Sequence, residues 1–194
     1  CIHPEFLADQ LTLSLDRLGL ATLDVCLLHN PEYFLSHATR LGAGEQRELS
    51  TLRDEFYARL QLAFEYCERQ VEAGRLRGYG VSSNTSTASP DEPGATSLSR
   101  MIEAAKAAAK NVGAAAHHFT VLQCPMNVHE SGAALIKNTG PDNGSTLLDE
   151  ALREGVAVLV NRPLNAMPAQ RGGVVRLADV PVPATADLSV LREG

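Results

Sequence analysis

Four times along this chain a helical pattern runs through a glycine into a short apolar segment, and that recurrence limits the fold more than any other feature. The first helix begins near Pro4, because a missing amide costs nothing at the first helical position. Leu7, Leu11, Leu15 and Leu18 form its apolar stripe, and Gly19 suits the left-handed position that stops a helix. A strand over residues 23–28 follows, ending in His29, Asn30 and Pro31. The second helix spans 51–72, with Phe56, Leu60, Phe64, Cys67 and Val71 on one face. Thr51 with Asp54 reads as a short-armed capping box, and Gly74 closes the helix. The next strand, 76–81, gives way to Ser82, Ser83, Asn84 and Thr85, then to a loop rich in Ser, Pro and Gly over 85–96. In the third unit Leu98, Met101, Ile102, Ala105 and Ala109 precede a strand at 119–124. The alanines imply close packing against a neighbouring helix. Leu147, Leu148, Ala151 and Leu152, then Gly155, lead into the fourth strand at 156–160 and into Asn161, Arg162 and Pro163. The polar link 138–144 is expected to be a surface loop.

Short apolar strands separated by whole helices are the pattern of a parallel sheet covered by helices, not of hairpins. Two architectures satisfy it: a doubly wound sheet and a (β/α)8 TIM-type barrel. A barrel needs eight units and about 250 residues, whereas four strands can be read in 194 residues. No glycine-rich dinucleotide fingerprint follows any strand, and the even punctuation leans toward a partial barrel. Both ends look cut, since the chain opens on Cys1 without an initiator Met and closes through a Pro-rich stretch at 181–183.

Composition removes several functions. Acidic residues outnumber basic ones by 23 to 17, a formal net charge of -6, so there is no basic excess to hold nucleic acid. No apolar run approaches the roughly 20 residues that span a bilayer. Cys1, Cys26, Cys67 and Cys124 are too dispersed for a disulfide framework, and the last three sit among apolar neighbours. They read as buried thiols of a reducing, cytoplasmic compartment.

Polar residues collect where the strands end, the rim on which parallel α/β folds build their sites: His29 with Asn30, Ser82 to Asn84, Gln123 with Asn127, and Asn161 with Arg162. His29 is the strongest single candidate, because it closes an apolar strand and exchanges protons near neutral pH. Arg162 suits either an anion or a salt bridge between loops. His117 and His118 precede a strand, which places them at the opposite, stabilising end. Glu65, Glu68, Arg69, Glu72 and Arg75 read as a solvated helix face. No His or Cys spacing suits a metal, and no nucleophile elbow is present.

The segments Ser14-Leu-Asp-Arg-Leu-Gly-Leu20 and Leu23-Asp-Val-Cys-Leu-Leu-His-Asn-Pro31 resemble the helix and fourth strand of the aldo-keto reductases. Gly74-Arg-Leu-Arg-Gly-Tyr-Gly-Val-Ser82 is similar to that family's fifth strand, and Val121-Leu-Gln123 to its sixth. The stretch 147–152 followed by Gly155-Val-Ala-Val-Leu-Val-Asn-Arg-Pro-Leu164 is similar to its seventh. The resemblance covers residues 4 to 165 and implies a (β/α)8 barrel lacking here its first three units and its last. Residues 1–164 would form the partial barrel, and 165–194 an irregular tail toward the eighth strand.

The resemblance also implies reduction of an aldehyde or ketone, or oxidation of an alcohol or lactol, with NADP or in some members NAD. An Asp, Tyr, Lys and His set does the chemistry. His29 stands at the histidine position, where it would orient the carbonyl. Ser82, Ser83 and Gln123 would lie beside the nicotinamide amide, with Asn84 able to replace Ser83, which stands where the family commonly has Asn. Asn161 stands where many members stack a Tyr on the nicotinamide, and Arg162 where Ser is usual. The family's Asp, Tyr and Lys belong to earlier strands, and none of Tyr33, Tyr57, Tyr66 or Tyr79 takes the acid role. The segment alone is therefore expected to be inactive. The partners implied are a small carbonyl substrate and the remaining barrel segments. Two readings stay open beside this one: a noncatalytic regulatory or scaffolding member of the fold, and another barrel enzyme such as an isomerase or lyase.

Overall fold

A computed structural model describes residues 2–40, 48–167 and 174–177. In chain order it has α1 (Pro4–Leu18), β1 (Leu23–His29), α2 (Tyr33–Arg40), α3 (Leu49–Glu72), β2 (Leu76–Ser82), α4 (Leu98–Val112) and β3 (Phe119–Pro125). Then come α5 (Gly132–Leu135), β4 (Lys137–Thr139), a 3-10 turn (Pro141–Asn143), β5 (Ser145–Thr146), α6 (Leu147–Glu154), β6 (Ala157–Asn161), β7 (Asn165–Ala166) and β8 (Val175–Arg176). Helix α1 stops where the sequence places its stop: Gly19 adopts φ 65° and its amide reaches back to Asp16 and Leu15. Gly113 and Gly155 end α4 and α6 in the same left-handed way.

The four principal strands form one parallel sheet in the order β1-β2-β3-β6. A doubly wound sheet must reverse its strand order partway across, and this one does not. The helices touch one another in the same sequence, α1 to α3, α3 to α4 and α4 to α6. A mixed α/β fold with its helices layered along a monotonic parallel sheet is the result, and the core lies between the two layers. Leu28, Val81, Leu122 and Val158 stand side by side across the strands and face Phe56, Phe64, Met101 and Ile102 in one cluster. The alanines of α4 do pack tightly, with Ala105 and Ala108 fully buried.

Strand residues alternate sides, so the next positions belong to the other face. There Leu27, Gly80, Val121 and Ala157 align, with Val25 beside Gly78 below them. Val25 is 39% exposed, and Leu159, higher on β6, is 46% exposed. This second face is apolar; it is exposed at Val25, Ala157 and Leu159 and buried at Gly78, Gly80 and Val121 in its middle. The glycines of β2 are required by its shape: a Cβ on Gly80 would stand 1.9 Å from the Val121 carbonyl oxygen and against Leu27. The pairing register shifts at Tyr79/Gly80 to fit this close approach.

Several expectations are corrected. Helix α3 begins at Leu49 with Glu48 as its cap residue and no side-chain cap. Thr51 and Asp54 thus form no capping box, and Asp54 instead pairs with Arg100 of α4 at 2.7 Å. The loop after β1 contains α2, and residues 41–47 lie outside the described residues. The link 138–144 is not a surface loop at its start. Asn138 and Thr139 are buried, Asn138 Nδ2 holds the Ser86 and Ala88 carbonyls, and Thr139 Oγ1 accepts the Ser99 amide. Leu18 is exposed rather than part of the α1 stripe. Of the expected tail, Asn165–Ala166 pairs antiparallel with Val175–Arg176, while Cys1, 168–173 and 178–194 fall outside the described residues.

Glu68 is the largest correction. It does not belong to a solvated face but is 2% exposed, and it ties three elements together. Its Oε1 accepts the Tyr79 hydroxyl at 2.7 Å and the His118 amide at 2.8 Å, while Oε2 meets His118 Nδ1 at 2.7 Å. Burial, and then the Glu68 carboxylate, push the Tyr79 phenol well above its ordinary value, so it remains a donor. The node pins β2 and the start of β3 to α3, at the amino end of the sheet.

Two outcomes follow for the fold. Replacing His118 by Ala leaves a buried carboxylate oxygen without its partner, and about 2–3 kcal/mol of stability should be lost; Tyr79→Phe, which leaves the His118 contacts in place, should cost about 1 kcal/mol. Urea unfolding measures both. Gly80→Ala drives a methyl into a backbone carbonyl that cannot move without unpairing β3, so soluble yield should collapse.

Candidate functional site

The carboxyl ends of β1, β2 and β3 bring three expected residues into one line. His29 pairs with Ser82, and Ser82 with Gln123, in the strand register. All three belong to the sheet face opposite the helix layer, where His29 is exposed, Gln123 half-buried and Ser82 buried. Ser82 Oγ donates to Gln123 Oε1 at 2.8 Å, which fixes the amide orientation and leaves Gln123 Nε2 without a bond among the described residues. The His29 imidazole is exposed and likewise makes no hydrogen bond among them. Asn161 lies on the same face at the end of β6, opposite Pro125, and its Oδ1 is buried without a partner.

The remaining expected residues are placed differently. Ser83 follows Ser82 and therefore points to the helix side; it is 1% exposed, and its Oγ lies 3.2 Å from Thr96 Oγ1. Asn84 leans toward β1, with its Nδ2 3.3 Å from Asn30 Oδ1 and its amide donated to Glu32 Oε1 at 2.8 Å. Arg162 resolves into the salt-bridge alternative. Its Nη2 donates to Glu130 Oε1 at 2.8 Å, which joins the loops after β6 and β3.

Two residues just past strand ends carry positive φ without being glycine, Asn30 at 48° and Arg162 at 55°. Such backbone costs energy for a residue with a Cβ, and local bonds hold it. Asn30 Nδ2 donates to the Tyr33 hydroxyl at 2.9 Å. Around Arg162 the clamp is Asn127, whose Nδ2 donates to Glu130 Oε2 and to the Arg162 and Asn165 carbonyls, while its Oδ1 accepts the His129 and Glu130 amides.

Glu32 and Glu130 were not singled out from the sequence. Glu32 is 1% exposed, and burial pushes its carboxyl above the usual range, opposed by the Asn84 and Glu32 amides, the Ser83 hydroxyl and His29. The available signal was its place one residue after Pro31, beside a candidate histidine. A cleft of about 510 Å³ shares His29 and Asn30 with the rim but opens toward Pro4, Phe34, Phe56 and Arg59 in the helix layer. A second of about 360 Å³ runs between α1 and β1 and also reaches His29. His29 thus stands between the sheet face opposite the helices and these clefts.

Among the described residues no group of His, Cys, Asp or Glu is arranged to hold a metal, and no helix is long and apolar enough to cross a membrane. Cys67 and Cys124 are buried free thiols, and burial raises Cys124 to about 11. No family model matches this chain, and no curated protein matches it.

Asn127→Ala removes five bonds of the clamp at once. The His129 and Glu130 amides should lose their protection against hydrogen exchange, with a stability loss of about 1–3 kcal/mol, while the amides of β1 and β2 stay protected.

Proposed function

We propose that this chain supplies the fourth to seventh units of an aldo-keto-reductase-like (β/α)8 barrel, and that the complete protein reduces an aldehyde or ketone with NADPH or NADH. The observation that carries this reading is the line of His29, Ser82 and Gln123 on the sheet face opposite the helices, at the carboxyl ends of parallel strands. The exposed apolar residues Val25, Ala157 and Leu159 of that face, and the outer edges of β1 and β6, unpaired among the described residues, support it further, because exposed edges and apolar interiors are what further strands cover.

The donor set fits a nicotinamide carboxamide. Gln123 Nε2 is a donor free for the amide oxygen, and Asn161 Oδ1 is a buried acceptor in want of an N–H. Ser82 holds Gln123 in the orientation that frees the donor. Asn161 offers no aromatic ring, so the nicotinamide would be held by its amide rather than by stacking. Arg162 is spent on Glu130 and does not serve the cofactor's phosphates. The cofactor, when bound, supplies a hydride.

His29 supplies a ring nitrogen to the carbonyl oxygen, which gains negative charge as hydride reaches its carbon. A donor aimed at that oxygen is worth more as the charge develops than in the ground state. Its lack of a hydrogen-bond partner leaves it free for this role. The proton donor to the oxygen belongs to the expected Tyr of the earlier strands, outside this chain.

In the complete protein, His29→Ala should lower kcat/KM for a carbonyl substrate by about 100-fold and leave the NADPH dissociation constant within twofold. Fluorescence titration of NADPH and a panel of small aldehydes and ketones test this. Tight cofactor binding with no turnover on any carbonyl would favour the noncatalytic reading. Unchanged turnover in the variant would remove His29 from the site.

A further inference from the structure

We propose that Glu32 is a positioning residue of this rim: its buried carboxyl holds the Asn84 backbone amide, and the gain or loss of its proton changes how firmly the end of β2 is presented to a bound ligand. The inference rests on the preceding reading only for the identity of that ligand. Glu32 closes the turn after β1, where Pro31 and the strained Asn30 direct the chain into α2. Its carbonyl accepts the Leu35 and Ser36 amides, so the residue is built into the start of that helix. Its side chain reaches across to the neighbouring strand end, where Oε1 accepts the Asn84 amide at 2.8 Å. Oε2 is buried and has no partner.

A carboxyl at 1% exposure with one oxygen unbonded is costly as an anion, and no cation among the described residues is paired with it. The titratable groups on the elements around it are His29 at the end of β1, Tyr33 and His37 on α2, and Arg53 and Arg59 on α3. Arg53 is engaged with the Pro90 and Glu92 carbonyls and Arg59 with Glu55. Of these groups, His29 acts on the carboxyl. Ser83 and Asn84, from the segment after β2, are uncharged. Two states result. Ionised, Oε1 makes a charge-assisted bond to the Asn84 amide, about twice as strong as a neutral one. Protonated, it relieves the orphaned oxygen and holds the amide less firmly.

The sign of the stability effect follows. Burial raises the folded carboxyl above its unfolded value, so the folded state binds its proton more tightly. This contribution to stability is present at low pH, and it is lost as pH rises from the unfolded value through the folded one.

The test uses the complete protein labelled with 15N-asparagine and free of ligand, in which the Asn84 amide reports Glu32 directly. Its chemical shift should titrate with a midpoint above the usual carboxylate range, persist in His29→Ala, and vanish in Glu32→Gln. Glu32→Asp, a shorter acid, should retain a titration at a different midpoint, which separates loss of the acid from loss of the fold. An Asn84 amide that does not titrate, or titrates identically in Glu32→Gln, overturns the proposal. In parallel, NADPH affinity at the high-pH end should weaken about fivefold in Glu32→Gln and lose its pH dependence. If NADPH does not bind the unaltered protein, the reductase reading fails, and the Asn84 amide alone decides Glu32.

Discussion

The structure depends on four parallel strands pairing in the order in which they occur along the chain. That order lets each intervening helix lie against the one before it, so a single helix layer forms and the apolar stripes of α1, α3, α4 and α6 share one core. Among the described residues no helix covers the other face of the sheet. Leu27, Val121, Ala157 and Leu159 occupy that face; Val121 is buried at its middle, whereas Ala157 and Leu159 are exposed. Gly78 and Gly80 lower its profile at β2, and Gly80 does so because no Cβ fits beside the Val121 carbonyl. The exposed apolar positions of that face, and the edges of β1 and β6 that are unpaired among the described residues, are what the barrel proposal is argued from, rather than the helix-strand count.

Polar groups are buried at both ends of the sheet. At the amino end both oxygens of buried Glu68 are bonded, to Tyr79 and twice to His118, and a satisfied buried network stabilises and specifies packing. His117 Nδ1, next to that node, is buried without a partner. At the carboxyl end Glu32 Oε2, Asn161 Oδ1 and Arg162 Nε are buried without partners, and Asn30 and Arg162 carry left-handed backbone. What sets this end apart is that orphaned atoms and strained backbone occur together there, at a cost in stability.

What was legible in the sequence is what local physics decides. Apolar spacing located α1, α3, α4 and the four strands, and the glycines at 19, 74 and 155 stand at left-handed helix ends because no other residue takes that backbone so cheaply. Hidden were features settled by a partner distant in sequence. Glu65, Glu68 and Glu72 follow the same helical spacing, and only Tyr79 and His118, from other elements, distinguish the middle one. Asp54 looked like a cap because Thr51 stood three residues before it, yet its partner is Arg100 on the next helix. Helix α2 was missed because its eight residues include Ser36, His37 and Thr39, too polar and too few for a clear stripe. Polar strand ends were legible, but their division into Ser82 on the face opposite the helices and Ser83 on the helix side appears only once the register is known.

Asn161 and Arg162 show how such a rim is built under competing demands. The turn after β6 needs a residue at φ 55°, and glycine would supply it with less strain. Arginine there carries a side chain long enough to reach Glu130, so the strain at 162 is offset by a bond that closes the loop after β3 against the loop after β6. Asn127 accepts two amides and donates to three carbonyl or carboxylate oxygens in the same small volume, which makes the clamp stiff. Asn161, next in line and facing away from the helices, is thereby held on a rigid base with its acceptor unsatisfied. A flexible loop would let that oxygen turn toward water. Fixed in place, it stays buried with its acceptor unpaired among the described residues.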